Sequence, residues 1–266
     1  MLPELIMEFF RAHQSALWVF TVCFDLMLTL VMFRCFGKMG LYSVIVLNAL
    51  LCNIQALKLT HVFGANTSLG VILYSGIFFA TDLLGERYGK REANRAVKIG
   101  FAANVVMVIV MSLTILFLPT TQGSEKTVAF AREAHDGLTT IFTFTPLIVL
   151  GSMVAYLISQ SHDVWFFHML KKKTRGRHLW LRNTASTMVS QAIDTLIFQF
   201  IVWAPTIGMT EAIALGCFKY VFKIVIAIMD TPFIYWARTW DVSGRDWHEK
   251  EDVVTDAEAG VPPRWN

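Results

Sequence analysis

Eight side chains able to carry charge lie inside strongly apolar stretches of this chain: Asp25, Lys58, Asp82, Glu86, Asp194, Lys219, Lys223 and Asp230. A lone charge at the middle of a bilayer costs about 2.5–3.5 kcal/mol even on a lenient scale, so such groups face partners or an aqueous cavity. Their spacing gives them direction. Asn183, Thr187, Gln191 and Asp194 follow one another at four, four and three residues, with Ser186 and Ser190 alongside, which is one stripe on a helix. Lys219, Lys223 and Asp230, four and seven apart, form a second stripe. Asn48, Gln55 and Lys58 form a third, with Asn53 turned away from them. Carboxylates accept, ammoniums donate and amides do both, so the three stripes together predict a shared wet interior able to hold a polar small molecule. The alternative is plainer: the same groups could hydrogen-bond helix to helix, with Asp194 doing no more than neutralising Lys219 or Lys223.

Other candidate chemistry is weaker. Asp82 and Glu86 are four apart on one face, but Glu86 adjoins Arg87 and could be interfacial. His162, Asp163 and His168 invite a metal reading, yet their spacing matches no standard site, and a solvated or loop-anchoring role suits them better. There is no glycine-rich phosphate loop, nucleophile elbow or paired metal motif. We expect no catalytic residues, no metal and no cofactor, and so no enzyme.

The elements that must position the stripes follow from composition. Of 266 residues, 55% are hydrophobic and 16% charged, with mean hydropathy +0.52. A soluble globule could not hide so much apolar surface. The four cysteines all fall in apolar runs, which excludes a secreted disulfide scaffold. A hydrocarbon core of about 30 Å needs about 20 apolar residues per helix. On that scale the chain reads as an all-α polytopic bundle of about seven membrane-spanning helices, at about 17–36, 41–60, 68–86, 97–118, 138–160, 185–204 and 212–237. Arg87, Lys90, Arg91 and Arg95 follow the third span, and Lys171, Lys172, Lys173, Arg175, Arg177 and Arg182 follow the fifth. Basic loops mark the cytoplasmic side, which predicts an outside N-terminus and a cytoplasmic C-terminus. The basic run KKKTRGR anchors topology in this reading and does not imply nucleic acid. The loop from Thr120 to Gly137 could form a short amphipathic helix on the outer surface. From Asp241 to Asn266 seven acids outnumber three bases, a composition expected of a flexible tail.

Three runs carry a resemblance: FATDLLGERYGKREA from Phe79, ISQSHDVWFFH from Ile158 and LRNTASTMVSQAIDT from Leu181, with Lys219, Lys223 and Pro232 behind them. Together, over about 41–238, they resemble the queuosine precursor transporter family, also grouped with vitamin-uptake-like transporters. That resemblance implies a six-helix transporter core at 41–238, with residues 1–40 as an extra N-terminal helix and 239–266 as an acidic cytoplasmic tail. It further implies a bacterial inner-membrane importer of 7-deazaguanines such as preQ0, preQ1 or queuine, salvaged for tRNA queuosine. A guanine-like edge offers N1–H and an exocyclic amine, for which Asp194 and Asp82 are the candidate acceptors; a cationic aminomethyl group would favour an extra acid, and Glu86 is a further substrate-binding candidate. Its O6 and ring nitrogens would meet Asn53, Gln55, Gln191, Asn183, Ser190, Lys219 or Lys223. Phe78, Phe79, Trp165, Phe198 and Trp203 are candidate aromatic walls. Asp194 and Asp230, close to lysines, could titrate in a proton-coupled cycle, and a second copy in a homodimer would add wall to a small bundle. The competing readings are a membrane-embedded enzyme or sensor built on His162, Asp163 and His168, and the substrate-binding subunit of an ATPase-driven vitamin importer.

Overall fold

The computed structural model describes residues 2–56, 58–143, 146–175 and 177–240. In chain order these form α1 (Leu2–Ala12), α2 (Gln14–Gln55), a two-stranded antiparallel hairpin β1 (Leu59–Val62) and β2 (Ala65–Ser68), α3 (Gly70–Tyr88), α4 (Lys90–Leu116), α5 (Glu125–Phe142), α6 (Pro146–Lys173) and α7 (Leu179–Phe198). A π-helical stretch Gln199–Trp203 extends α7, followed by α8 (Ala204–Ile207), α9 (Met209–Met229) and α10 (Thr231–Arg238). This is the expected all-α membrane bundle. Four segments among the described residues are long and apolar enough to cross a bilayer: Gln14–Gln55, Lys90–Leu116, Leu179–Trp203 and Met209–Arg238.

At about 1.5 Å per residue, α2 would be about 63 Å long if straight, twice the hydrocarbon core. It is not straight. Gly37 sits at φ 55°, ψ −133°, a backbone region glycine alone enters freely. A Cβ on Gly40 would fall on the carbonyl of Met32, eight residues back, so the chain doubles over at this point. Asn48 donates to Asp25 at 3.0 Å across the fold, although 23 residues of straight helix would separate them by about 35 Å. α2 is therefore two antiparallel arms meeting near residue 37, where the predicted first and second spans part.

Two expected boundaries are corrected. The predicted span 138–160 is interrupted, because α5 ends at Phe142 and α6 begins at Pro146. The predicted span 212–237 lies within the segment Met209–Arg238, which passes from α9 to α10 at Asp230, where Pro232 at the start of α10 removes a helical N–H. Residues 59–68, read as the end of one span, a connection over 61–67 and the start of the next span, pair instead as a hairpin, with Phe63 and Gly64 both at positive φ in its turn. The amphipathic helix expected near Thr120–Gly137 is α5, capped by the Ser124 hydroxyl, and it buries none of its residues. The acidic stretch 241–266 lies outside the described residues.

α2 packs along α3, and α6 along α7, with α4 and α9 closing the group. The apolar core runs from Trp18, Leu26 and Phe33 through Ile45, Ile77 and Leu83 to Ile226 and Ile234. Outward faces carry large apolar side chains, among them Val106, Ile109 and Leu113 on α4 and Leu196 and Phe200 around the end of α7. Such a surface suits lipid. One end of the bundle bears the β-hairpin, and the other bears Arg87, Lys90 and Lys171–Lys173; these are called the hairpin end and the basic end below.

Candidate functional site

Asp194, in the last turn of α7, is the hub of the site. Lys223 of α9 donates to its Oδ2 at 2.6 Å, and the two side chains are only 8% and 9% exposed. Tyr74 of α3 donates to its Oδ1 at 2.5 Å, and Ser159 of α6 reaches the same oxygen at 3.4 Å. The Lys223 ammonium also lies 4.8 Å from the centre of the Tyr74 ring. Four helices thus converge on one carboxylate. A buried pair of this kind survives only where hydrogen bonds replace lost hydration, and the tyrosine and serine provide them.

The pair borders a cavity of about 170 Å³. At roughly 10–15 Å³ per water, that is room for about a dozen atoms of that size, the scale of a bicyclic base. Its polar lining includes Asp194, Lys219, Lys223, Tyr74, Asn53 and Asn104, and its apolar lining includes Ile77, Phe101 and Phe198. Asn53 and Asn104 face each other, with Asn53 donating at 2.9 Å. Lys219, which has no ion pair among the described residues, holds its ammonium over the rings of Phe198 and Trp203 at 5.7 and 5.5 Å. Ser68 of the β-hairpin lines the mouth, so the cavity lies towards the hairpin end.

Not every sequence candidate comes to this cavity. Asp194, Lys219, Lys223, Asn53 and Phe198 line it. Gln55 does not; its carbonyl only accepts the Lys58 N–H at 3.0 Å. The third polar stripe is corrected, since Lys58 is exposed and Asn48 is bound to Asp25, while Asn53, off that stripe and expected at the substrate, does line the cavity. Phe78 and Phe79 are fully buried, with Phe78 edge-on to Tyr74 one layer behind the wall. Trp165 is half exposed and stacks on Phe166, away from the cavity. Trp203 reaches it only through Lys219.

Asp82, Asn183, Ser190 and Gln191 belong to a second polar layer, nearer the basic end. Thr187 donates to Asp82 at 3.2 Å, Asn183 to Asp230 at 2.7 Å, and Ser190 is 2.9 Å from Nδ1 of His162. Gln191 is buried with neither end of its amide hydrogen-bonded. Asp163 is fully buried in this layer, which corrects the solvated or loop-anchoring role expected for it. His162 and His168 part company, since His168 bonds the Val164 carbonyl and lies against Gly85. Glu86 sits at the basic end, bound to Arg182 at 2.6 Å and Lys171 at 2.9 Å, with Arg238 at 3.4 Å.

Sequence reading missed Asn104, Tyr74 and Tyr156 at the cavity. Asn104 had a signal, an amide alone in an apolar run. The two tyrosines had none, because a core tyrosine and a pocket tyrosine look alike in sequence.

An apolar-coated helical bundle with a cavity among its helices, mostly apolar and marked by a few charged and amide groups, fits a polytopic membrane protein, and comparison with known proteins places it in the transporter class. The family model described as "Putative vitamin uptake transporter" matches residues 68–237. The chain is 33% identical over 225 residues, 84% of its own length and 94% of the relative's, to the "Probable queuosine precursor transporter" of Bacillus subtilis. It is 30% identical over 172 residues, 63% of its length and 71% of the relative's, to the "Queuosine precursor transporter" of Escherichia coli. No solved structure matches it. The chain belongs to the queuosine precursor transporter family.

Proposed function

We propose that this chain imports 7-deazaguanine precursors of queuosine, bound in the cavity at Asp194 and Lys223. The observation that carries the reading is the Asp194–Lys223 pair at the cavity wall, an acceptor and a donor side by side. A guanine-like edge presents the complementary order, with O6 accepting next to N1–H and an amine donating. Substrate would take N1–H to Asp194 while Lys223 turns to O6, so the pair opens onto a ligand of matching pattern and neither charge is stranded. Lys219, Asn53 and Asn104 are the remaining polar contacts, and Phe198 and Phe101 the flat walls. Gln191, Asn183, Ser190 and Asp82 act behind the cavity in this reading, and Glu86 at the basic end of the bundle, away from it. The chain moves substrate and performs no chemistry on it.

The basic loops support an inner-membrane placement with the N-terminus outside, which puts the hairpin end and the cavity mouth outside as well. Residues 41–238 form the transport core, residues 1–40 add a helix to it, and residues 239–266 form the cytoplasmic tail. A second copy completes the lipid-facing wall as a homodimer.

The test is salvage in a bacterial strain unable to make the precursor. Supplying this chain should restore tRNA queuosine at low external preQ0 or preQ1, and Asp194→Asn should abolish it with the protein still in the membrane. Normal salvage by Asp194→Asn would overturn the assignment of the site. Proteoliposomes containing only this chain should equilibrate labelled base; if they stay impermeable until an ATPase is added, the chain is a binding subunit.

A further inference from the structure

Behind the substrate cavity lies a set of acids that substrate recognition leaves unused. Asp82 of α3, Asp163 of α6 and Asp230 at the α9–α10 break are 2%, 0% and 1% exposed. Asp82 and Asp230 are held one turn apart along α7, by Thr187 and Asn183, and Asp163 of α6 lies near enough to Asp82 for the two carboxyls to interact, an approach that becomes a hydrogen bond only when one of them carries a proton. Asp230 is the third acid beside them. No Lys, Arg or His nitrogen among the described residues is within ion-pair distance of any of the three. Three negative charges enclosed together without a counter-charge repel strongly, so positive charge must be brought to them.

The surroundings point to a mobile ligand. Neither oxygen of Asp163 is met by a donor at good geometry. Asn183, fully buried, spends its N–H on Asp230 and leaves its own carbonyl oxygen unmatched there. Gln160, fully buried one turn before Asp163, has an unmatched amide nitrogen. No group of three His, Cys, Asp or Glu among the described residues is arranged to hold a metal ion. Hydroxyl and imidazole groups lead from Asp163 towards the surface. Asp163 lies beside Ser186 and Ser190, and Ser190 is 2.9 Å from Nδ1 of His162, whose ring is partly exposed. A serine hydroxyl relays by donating its hydrogen on one side while accepting one on the other, so a proton leaving His162 appears on Asp163 with Ser190 unchanged.

We propose that Asp82, Asp163 and Asp230, reached through Ser190 and His162, form the proton-carrying coupling site of the transporter, distinct from the cavity that binds substrate. The inference rests on the transport function above and assigns its coupling to particular residues. The charged groups around the cluster are accounted for elsewhere. Towards the cavity, Lys223 is bound to Asp194. Towards the basic end, Glu86 is bound to Arg182 and Lys171, and His168 bonds the Val164 carbonyl. On α2, Asp25 is bound to Asn48. Cycling between a neutral and a charged cluster alters the repulsion among α3, α6 and α10, the helices a proton-driven cycle would have to move.

The experiment uses the full chain in proteoliposomes with labelled 7-deazaguanine and a pH dye trapped inside. An inward proton gradient should drive accumulation above equilibrium, and adding substrate outside should acidify the lumen. Asp163→Asn should lower gradient-driven accumulation by about tenfold or more, a usual scale for coupling between two sites, while leaving substrate counterflow within about twofold. His162→Ala should slow acidification without changing counterflow. If wild-type protein exchanges base but accumulates it independently of pH, or follows a sodium gradient, the inference is wrong and the transport function stands. If wild-type protein exchanges no base, both fall. Should Asp163→Asn fail to insert, the wild-type dye signal and His162→Ala decide the matter.

Discussion

Asp194 and Lys223 illustrate how one residue pair can serve folding and recognition together. Each neutralises the other inside the bundle, so removing one strands a buried charge. Asp194→Asn or Lys223→Met alone should cost about 3–5 kcal/mol of stability, read as a lowered unfolding temperature in detergent. The double variant replaces the pair by neutral groups of similar shape and should recover most of that loss. Its uptake should nonetheless stay abolished, because no acceptor remains for the N1–H edge. A double variant that transports normally would reduce the pair to a tie between α7 and α9. Much at this scale was legible: buried acids and lysines at helical spacing identified Asp194, Lys219 and Lys223 before any fold was known. Asn53 was placed at the substrate as well, but the stripe of Asn48, Gln55 and Lys58 was not the wall, because a helical wheel drawn on α2 alone cannot tell which face α4 covers, and Asn104 of α4 meets Asn53.

Among the elements, α2 and its contact with α3 matter most for holding the site. Gly76 of α3 lies so close to the Asp25–Asn48 bond that a Cβ there would fall on the Asp25 carboxylate. Gly76→Ala should therefore cost about 1–3 kcal/mol, measurable by thermal unfolding in detergent. Gly137→Ala, on the exposed face of α5 with nothing within 4 Å of the new methyl, should be neutral or stabilising by up to about 1 kcal/mol. Equal losses at both sites would mean that α2 and α3 are not held by this close approach. Helix existence was legible from apolar length, but boundaries were not. Proline marks a break wherever the missing N–H falls, as at Asp230, whereas the β-hairpin at 59–68 depends on strand pairing that no local pattern announced.

The two ends of the molecule differ, with a cavity towards the hairpin end and ion pairs across the basic end. There Glu86 gathers Arg182, Lys171 and Arg238, while Arg87 donates to the carbonyls of Arg238 and Trp240 at 3.0 and 2.8 Å. These contacts tie α3, α6, α7 and α10 together, and in the proposed import they would part to release substrate at that end. In a background without the native cysteines, a cysteine at buried Ser186 should react slowly with a membrane-impermeant thiol reagent in inside-out vesicles. Adding Glu86→Gln should raise that rate severalfold, since local opening follows the stability of the contacts that prevent it. An unchanged rate would place the barrier elsewhere along the path.

Composition and the spacing of charges determined by themselves that the chain is an all-α membrane bundle with polar stripes turned inward, because bilayer thickness and the cost of a buried charge act on any sequence alike. Which stripe meets which was decided only by the tertiary structure. Asp194 finds Lys223, Tyr74 and Ser159 across three other helices, and Asp82 finds Asp163 across 81 residues of chain. Such pairings depend on how helices are rotated and paired about one another, which is settled by packing over the whole molecule and not by any single segment.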